Sequence, residues 1–206
     1  MTRLPSLLLL TDRAACAARG RSLTDTVGLA LQAGGTVAVL LREKDLDRDA
    51  RRALARELQG VMEPAGSPLL VASDVTLAGE VGAGVHLAGG DPHPSGDRPR
   101  CAGRSCHSGA DVALAAAEGC DHVTLSPVFP TASKPGYGPA LGLERLEEIC
   151  RQAALPAVYA LGGVVPGRAA GCIRVGARGV AVMGAVMGAS DPARVTAALL
   201  RELSAT

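Results

Sequence analysis

The chain alternates between short runs that are apolar at nearly every position and longer segments with helical spacing. The apolar runs are SLLLLT (6–11), TVAVLL (36–41), PLLVAS (68–73), GVHL (84–87), CAGRS (101–105), HVTLS (122–126), AVYALG (157–162) and GVAVMG (179–184). Runs such as TVAVLL lack the polar-every-second-residue rhythm of a half-exposed strand. That predicts parallel strands covered on both faces. Between them, SLTDTVGLALQAGG (22–35) opens on a capping hydroxyl and stops at Gly34 and Gly35. DLDRDARRALARELQG (45–60) begins acidic and ends on Gly. Five more segments read as helices: 74–84, 108–119, 141–152, 165–176 and 190–203.

A helix is therefore expected after every strand, with no mid-chain linker. One strand-plus-helix unit recurs roughly every 25 residues, close to what a parallel crossover needs. Eight such units predict an α/β fold, a single-domain (β/α)8 TIM barrel over residues 1–206. A doubly wound open sheet is the alternative. It usually carries a Gly-rich fingerprint after its first strand, and here that strand ends in T-D-R-A-A.

Composition narrows the function classes. Hydrophobic residues make up 48% and aromatic residues 1%, so the core must be built from Ala, Val and Leu. Lys and Arg number 21 against 20 Asp and Glu, a net charge of +1. That argues against a nucleic-acid partner held by bulk charge. No apolar run approaches the ~20 residues a membrane span takes. Asp12 and Arg13 cut short the first leucine run, which reads as a strand rather than a signal peptide and implies a cytoplasmic location. None of the six cysteines forms a C-x-x-C pair, and they read as small buried hydrophobes. Cys101, Cys106 and His107 lack the spacing of a zinc site.

In a (β/α)8 barrel the chemistry sits at the C-terminal ends of the strands. Polar residues do crowd there: Arg42, Glu43 and Lys44, then Ser73 and Asp74, then Asp91, then Arg104, Ser105 and His107. The stretch Ser126 to Gly142 is too rich in Pro and Gly to be strand or helix. It holds Thr131, Ser133 and Lys134, two hydroxyls and an ammonium suited to a phosphate, and two of the chain's three aromatic residues. Glycines at Gly163 and Gly184 follow the last two strands, where backbone amides of this fold commonly hold phosphate. Asp74 and Asp91 would project from neighbouring strand ends and suit Mg²⁺, which prefers one or two carboxylates plus phosphate oxygens. With Arg42, Lys44 and Lys134 they fit a polyphosphate leaving group. Among the histidines, His86 reads as packed and hydrogen-bonded within a strand, and His107 as the one best placed to meet a ligand.

The segments LLREK (40–44), SDV-x-LA (73–78), GVHL-x-x-x-D (84–91), GRS-x-HS (103–108), SPVFPTASKP (126–135), LGGV (161–164) and GVAVMGAV (179–186) occur in this order. Together they resemble the thiamine phosphate synthase/TenI family over nearly the whole chain. The resemblance implies a Mg²⁺-dependent transferase that joins hydroxymethylpyrimidine diphosphate to thiazole phosphate and releases diphosphate. It implies that Arg42, Lys44 and Lys134 hold diphosphate, with Ser105 near it, that Ser73 binds substrate, and that Asp74 and Asp91 hold Mg²⁺. Thr131, Ser133 and the amides of Gly163 and Gly184 would meet the thiazole phosphate. Small phosphorylated molecules are the expected partners, with no nucleic acid and no membrane; a homo-oligomer is compatible with the sequence. Leu40 stands where the synthase pattern has Gln, and Ser73 and Val75 where it has Asn and Arg. Pro127 stands where the TenI-type thiazole tautomerase carries its His. A tautomerase and a non-catalytic barrel binding thiazole phosphate or thiamine phosphate are the two alternatives.

Overall fold

The computed structural model describes residues 4–94, 99–131, 139–152 and 155–205. Eight parallel strands close into a barrel in sequence order: β1 (Leu7–Leu10), β2 (Ala38–Leu41), β3 (Leu69–Ala72), β4 (Gly84–Leu87), β5 (Ala102–Cys106), β6 (His122–Leu125), β7 (Ala157–Leu161) and β8 (Gly179–Val182). β8 pairs with β1, Leu8 opposite Ala181, and this closes the ring. The helices are α1 (Arg13–Ala17), α2 (Leu23–Leu31), α3 (Arg48–Met62), α4 (Val75–Glu80), α5 (Gly109–Ala117), α6 (Gly142–Cys150), α7 (Ala169–Arg174), α8 (Gly184–Met187) and α9 (Pro192–Ser204). All eight expected strands form, their ends shifted by at most two residues. α1 and α8 were not foreseen: each is under two turns long, too short for periodicity to register.

The continuous apolar runs hide a two-residue period that only closure reveals. In β1, Leu7 and Leu9 pack outward against the helices, whereas Leu8 and Leu10 point into the barrel with Ala38, Leu40, Leu70 and Ala72. Both faces are buried, so both are apolar. The barrel interior is filled by pairing large side chains with glycine at the neighbouring register position. Leu70 lies opposite Gly84, His122 opposite Gly103 and Tyr159 opposite Gly179. A Cβ on Gly103 would sit 2.1 Å from the His122 ring, and one on Gly179 2.6 Å from Tyr159. In a chain nearly without aromatics, the ring of Tyr159 fills the barrel floor and its hydroxyl donates to the Leu4 and Pro5 carbonyls.

Several helices start on a side-chain cap, as the sequence predicts for Ser22. Ser22 accepts from the Asp25 amide, Asp47 from Ala50, Asp74 from Leu77, Ser108 from Asp111 and Asp191 from Arg194. Each cap stabilises its helix by about 1 kcal/mol.

One expectation is corrected. No helix follows β4 among the described residues: 88–94 and 99–101 run as turns and irregular backbone. Gly89, Gly90, Pro92, Pro94 and Pro99 disfavour helix throughout this stretch. The loop is held instead by Arg104 of β5, whose side chain is only 3% exposed. Its Nη1 donates to the carbonyls of Ala88, Gly89 and Asp91, and its Nε pairs with Glu118, just past α5, at 2.8 Å.

Candidate active site

The C-terminal ends of the strands surround a cavity of about 490 Å³. Arg42, Lys44, Ser73, Ser105, Thr131, Gly163 and Gly184 all line it, from six different strand ends. Its apolar part comes from Leu10, Leu40, Leu161, Ala181 and Val182. Ser133 and Lys134 lie outside the described residues.

The exit of β2 shows how local geometry sorts its charges. The Arg42 amide donates to the buried hydroxyl of Thr11, and its guanidinium reaches the Met183 sulfur at 3.4 Å. Glu43, one residue on, is 8% exposed and turns away from the cavity to take the amide and guanidinium of Arg13. Arg42 and Lys44 are therefore presented to the cavity while the acid between them is neutralised elsewhere.

Ser73 departs most from ordinary backbone. Its φ is +57°, the one described non-glycine residue with positive φ. Its hydroxyl oxygen is buried and faces the Asp91 carboxylate. Backbone strain at a residue lining the cavity marks a position shaped for a ligand rather than for stability.

The two candidate Mg²⁺ carboxylates are placed differently, and neither lines the cavity directly. Asp91 adjoins it: its carboxylate accepts from the Ala88 amide at 2.7 Å. Burial pushes the Asp91 carboxyl up, but the Ser73 hydroxyl, the Ala88 amide, Lys44 and Arg104 together hold it below the usual carboxylate value. An anionic oxygen beside a buried hydroxyl is a hard donor set and fits Mg²⁺ carried on phosphate oxygens. Asp74 instead caps α4 and pairs with Arg48 at 3.1 Å and Arg51 at 3.7 Å. Burial again pushes its carboxyl up, and the Leu77 amide and these two arginines outweigh that and lower it. Among the described residues no group of three or more His, Cys, Asp or Glu side chains is arranged to hold a metal. Any Mg²⁺ here would take most of its ligands from substrate and water.

Gly162 and Gly163 follow β7 with φ of +93° and +64°. A Cβ on Gly163 would lie 2.5 Å from the Pro130 carbonyl, and one on Gly162 2.8 Å from Pro127. The glycines let the loops after β6 and β7 touch, a demand separate from any anion. Pro127 itself lines the cavity.

Of the lining residues with no ligand role assigned from the sequence, three stand out. Arg168 stacks over Phe129 at 4.9 Å and donates to the Gly163 carbonyl. A basic residue five positions past the glycine pair was its only signal. Met183 receives the Arg42 guanidinium. His86, read correctly as packed and hydrogen-bonded, also reaches the cavity floor. His107 lines the cavity as expected; its Nδ1 lies 2.8 Å from the Ser126 carbonyl. A carbonyl only accepts, so Nδ1 carries the proton and Nε2 of the neutral ring is the acceptor nitrogen.

Comparison with known proteins identifies the family. The family model described as thiamine monophosphate synthase matches residues 7–186. The thiamine-phosphate synthase of Roseiflexus castenholzii is 41% identical over 198 residues, 93% of this chain and 85% of that protein. That of Methanoculleus marisnigri is 41% identical over 187 residues, 87% of this chain and 86% of that protein. The solved thiamine phosphate pyrophosphorylase from Pyrococcus furiosus superposes with a TM-score of 0.82 at 26% identity, covering 97% of this chain and 96% of that one. The chain belongs to the thiamine monophosphate synthase family.

Proposed function

We propose that this protein is a thiamine-phosphate synthase: it couples hydroxymethylpyrimidine diphosphate with thiazole phosphate and releases diphosphate. The observation that carries this reading is the convergence of Arg42, Lys44, Ser73, Ser105 and Thr131 on one cavity that also has an apolar lining. Cations and hydroxyls suit the phosphates; Leu10, Leu40 and Leu161 suit the rings.

The C–O bond to diphosphate breaks, leaving a pyrimidine methyl cation, and the thiazole nitrogen then forms the new C–N bond. Charge develops mainly on the departing diphosphate. Arg42 and Lys44 meet that charge with fixed, preorganised cations, and Ser73 and Ser105 offer hydroxyls to its oxygens. The apolar part of the lining keeps water from trapping the carbocation. Thr131, with the amides of Gly163 and Gly184, holds the thiazole phosphate and so sets the attack distance. Asp91 would hold Mg²⁺, and Asp74 would join it by giving up Arg48; the metal would neutralise the leaving diphosphate. Leu40 leaves the pyrimidine edge without the amide expected there, so ring recognition rests on shape.

The test is diphosphate release from the pure protein with both substrates and Mg²⁺. Release that needs both substrates and stops with chelator supports the synthase. No release from a folded, Mg²⁺-supplied protein overturns it.

The His107 tautomer favours a second reading, a thiazole phosphate isomerase in which Nε2 takes a proton from one ring position and returns it to another. Isomerisation without any pyrimidine, lost in His107→Gln, distinguishes this activity from the synthase.

A further inference from the structure

A chain of polar side chains crosses the barrel interior beneath the cavity. Cys101 Sγ lies 3.5 Å from His122 Nδ1, and His122 Nε2 lies 3.0 Å from His86 Nδ1. His86 Nε2 in turn lies 3.1 Å from Ser105 Oγ and 3.2 Å from Thr124 Oγ1. His86, His122 and Thr124 are each at most 3% exposed. The geometry is held from outside: His122 packs edge-on against Tyr159 at 6.1 Å, and Gly103 leaves room for its ring.

The geometry points to His86 as a positioning residue that fixes the Ser105 hydroxyl as a hydrogen-bond donor into the cavity. A neutral imidazole carries one ring proton. Facing nitrogens of His86 and His122 must share a single proton between them, so the two tautomers are locked together. In one arrangement the Cys101 thiol donates to His122 Nδ1, His122 Nε2–H donates to His86, and His86 Nε2–H donates to Ser105 and Thr124. In the other every donor reverses, a hydroxyl donates to His86, and the last N–H points at sulfur. Sulfur is a weak acceptor and imidazole nitrogen a good one, so the first arrangement is better satisfied.

The first arrangement occupies a lone pair of Ser105 and directs its O–H at the cavity. Phosphate oxygens at neutral pH are predominantly acceptors, so a bound phosphate selects the same arrangement. Both rings stay neutral: burial lowers the pKa of each, and His122, Lys44 and Arg104 reinforce this at His86. An imidazolium pair would break the chain at its centre.

The donor direction rests on the proposed phosphate ligand, but the tautomer does not. The first experiment is the two-bond ¹H–¹⁵N spectrum of ¹⁵N-histidine protein at pH 7.5. Protonated Nε2 on both His86 and His122 is expected; protonated Nδ1 on both, or an imidazolium, overturns the assignment. The second measures inorganic diphosphate binding with Mg²⁺ in a double-mutant cycle. His86→Leu should weaken binding about tenfold alone and less than twofold in a Ser105→Ala background. Equal losses in both backgrounds would make His86 merely structural and overturn the proposal. The spectrum uses the unaltered protein and decides even if His86→Leu fails to fold. Failure of the unaltered protein to bind diphosphate would count against the synthase reading, while the tautomer would still decide the role of His86.

Discussion

The guanidinium of Arg104, in the strand after Asp91, donates to the Asp91 carbonyl at 2.8 Å while pairing with Glu118 at the same distance. The β4–β5 connection has no helix to hold it among the described residues; one buried fork holds Ala88, Gly89 and Asp91 together. Lysine keeps the charge but cannot donate in that many directions from one planar group. Arg104→Lys should lower Tm by several degrees and raise the Mg²⁺ concentration for half-maximal turnover by about tenfold, since it loosens Asp91. Thermal unfolding and a Mg²⁺ titration measure the two effects; an unchanged Mg²⁺ dependence would separate Arg104 from the Asp91 site.

Asp91 and Asp74 differ in what else they do, and Asn substitutions exploit the difference. Asn caps helices about as well as Asp, but the side chains of Asp74 and Arg51 are only 13% and 10% exposed, and removing one partner of such a pair leaves a buried charge behind. Asp74→Asn should therefore keep the α4 cap yet lower Tm by several degrees. Asp91→Asn should cut turnover by at least about 100-fold with the fold intact, read as diphosphate release beside circular dichroism. Near-normal turnover in Asp91→Asn would remove it from the metal site. A loss of similar size in Asp74→Asn would mean that Arg48 yields it to Mg²⁺ during catalysis.

Gly103 and His122 test the barrel filling. A methyl at position 103 would meet the His122 ring at 2.1 Å, a distance no rotamer adjustment at Gly103 can relieve. Gly103→Ala should destabilise by about 1–3 kcal/mol, the usual range for overpacking, or more if neither ring can move. For a protein of this size that is roughly 2–4 °C of Tm per kcal/mol. A Tm equal to the parent's would show that the His122 ring is free to shift.

Acid sensitivity should follow from the buried histidines. Burial pushes His122 from its ordinary 6.5 down to about 4, with Asp121 opposing, and holds His86 well below its ordinary value too. Below pH 6.5 the unfolded chain takes up protons that the folded rings refuse. Stability is therefore complete above about 6.5, falls as pH drops towards 4, and levels off for His122 below that. At pH 5 His122 alone accounts for a loss of about 2 kcal/mol relative to pH 7. Denaturant midpoints across pH 4.5–7.5 should show this slope, and His122→Asn should flatten it; an equally steep curve in that variant would place the sensitivity elsewhere.

Much of this architecture is written locally. Both faces of every barrel strand are buried, so runs such as TVAVLL are apolar throughout and announce parallel strands without any knowledge of their partners. Caps such as Ser22 and Asp191 mark helix starts because a hydroxyl or carboxylate accepts from an amide three residues on. Arg42, Lys44, Ser73, Ser105 and Thr131 were legible as a candidate site because each lies near or beyond the C-terminal end of a strand, and a barrel gathers strand ends by construction. The tertiary structure decided what depends on residues far apart in sequence. Closure set Leu8 inward and Leu7 outward, because inside and outside exist only once β8 pairs with β1. It set Gly103 beside His122 and His86 beside Ser105, because register between strands brings together positions about 20 residues apart. It committed Asp74 to Arg48 and Arg51, and it placed Arg168 over Phe129 at the rim. Those pairings are energies of contact across the fold, and no local pattern in the chain encodes them.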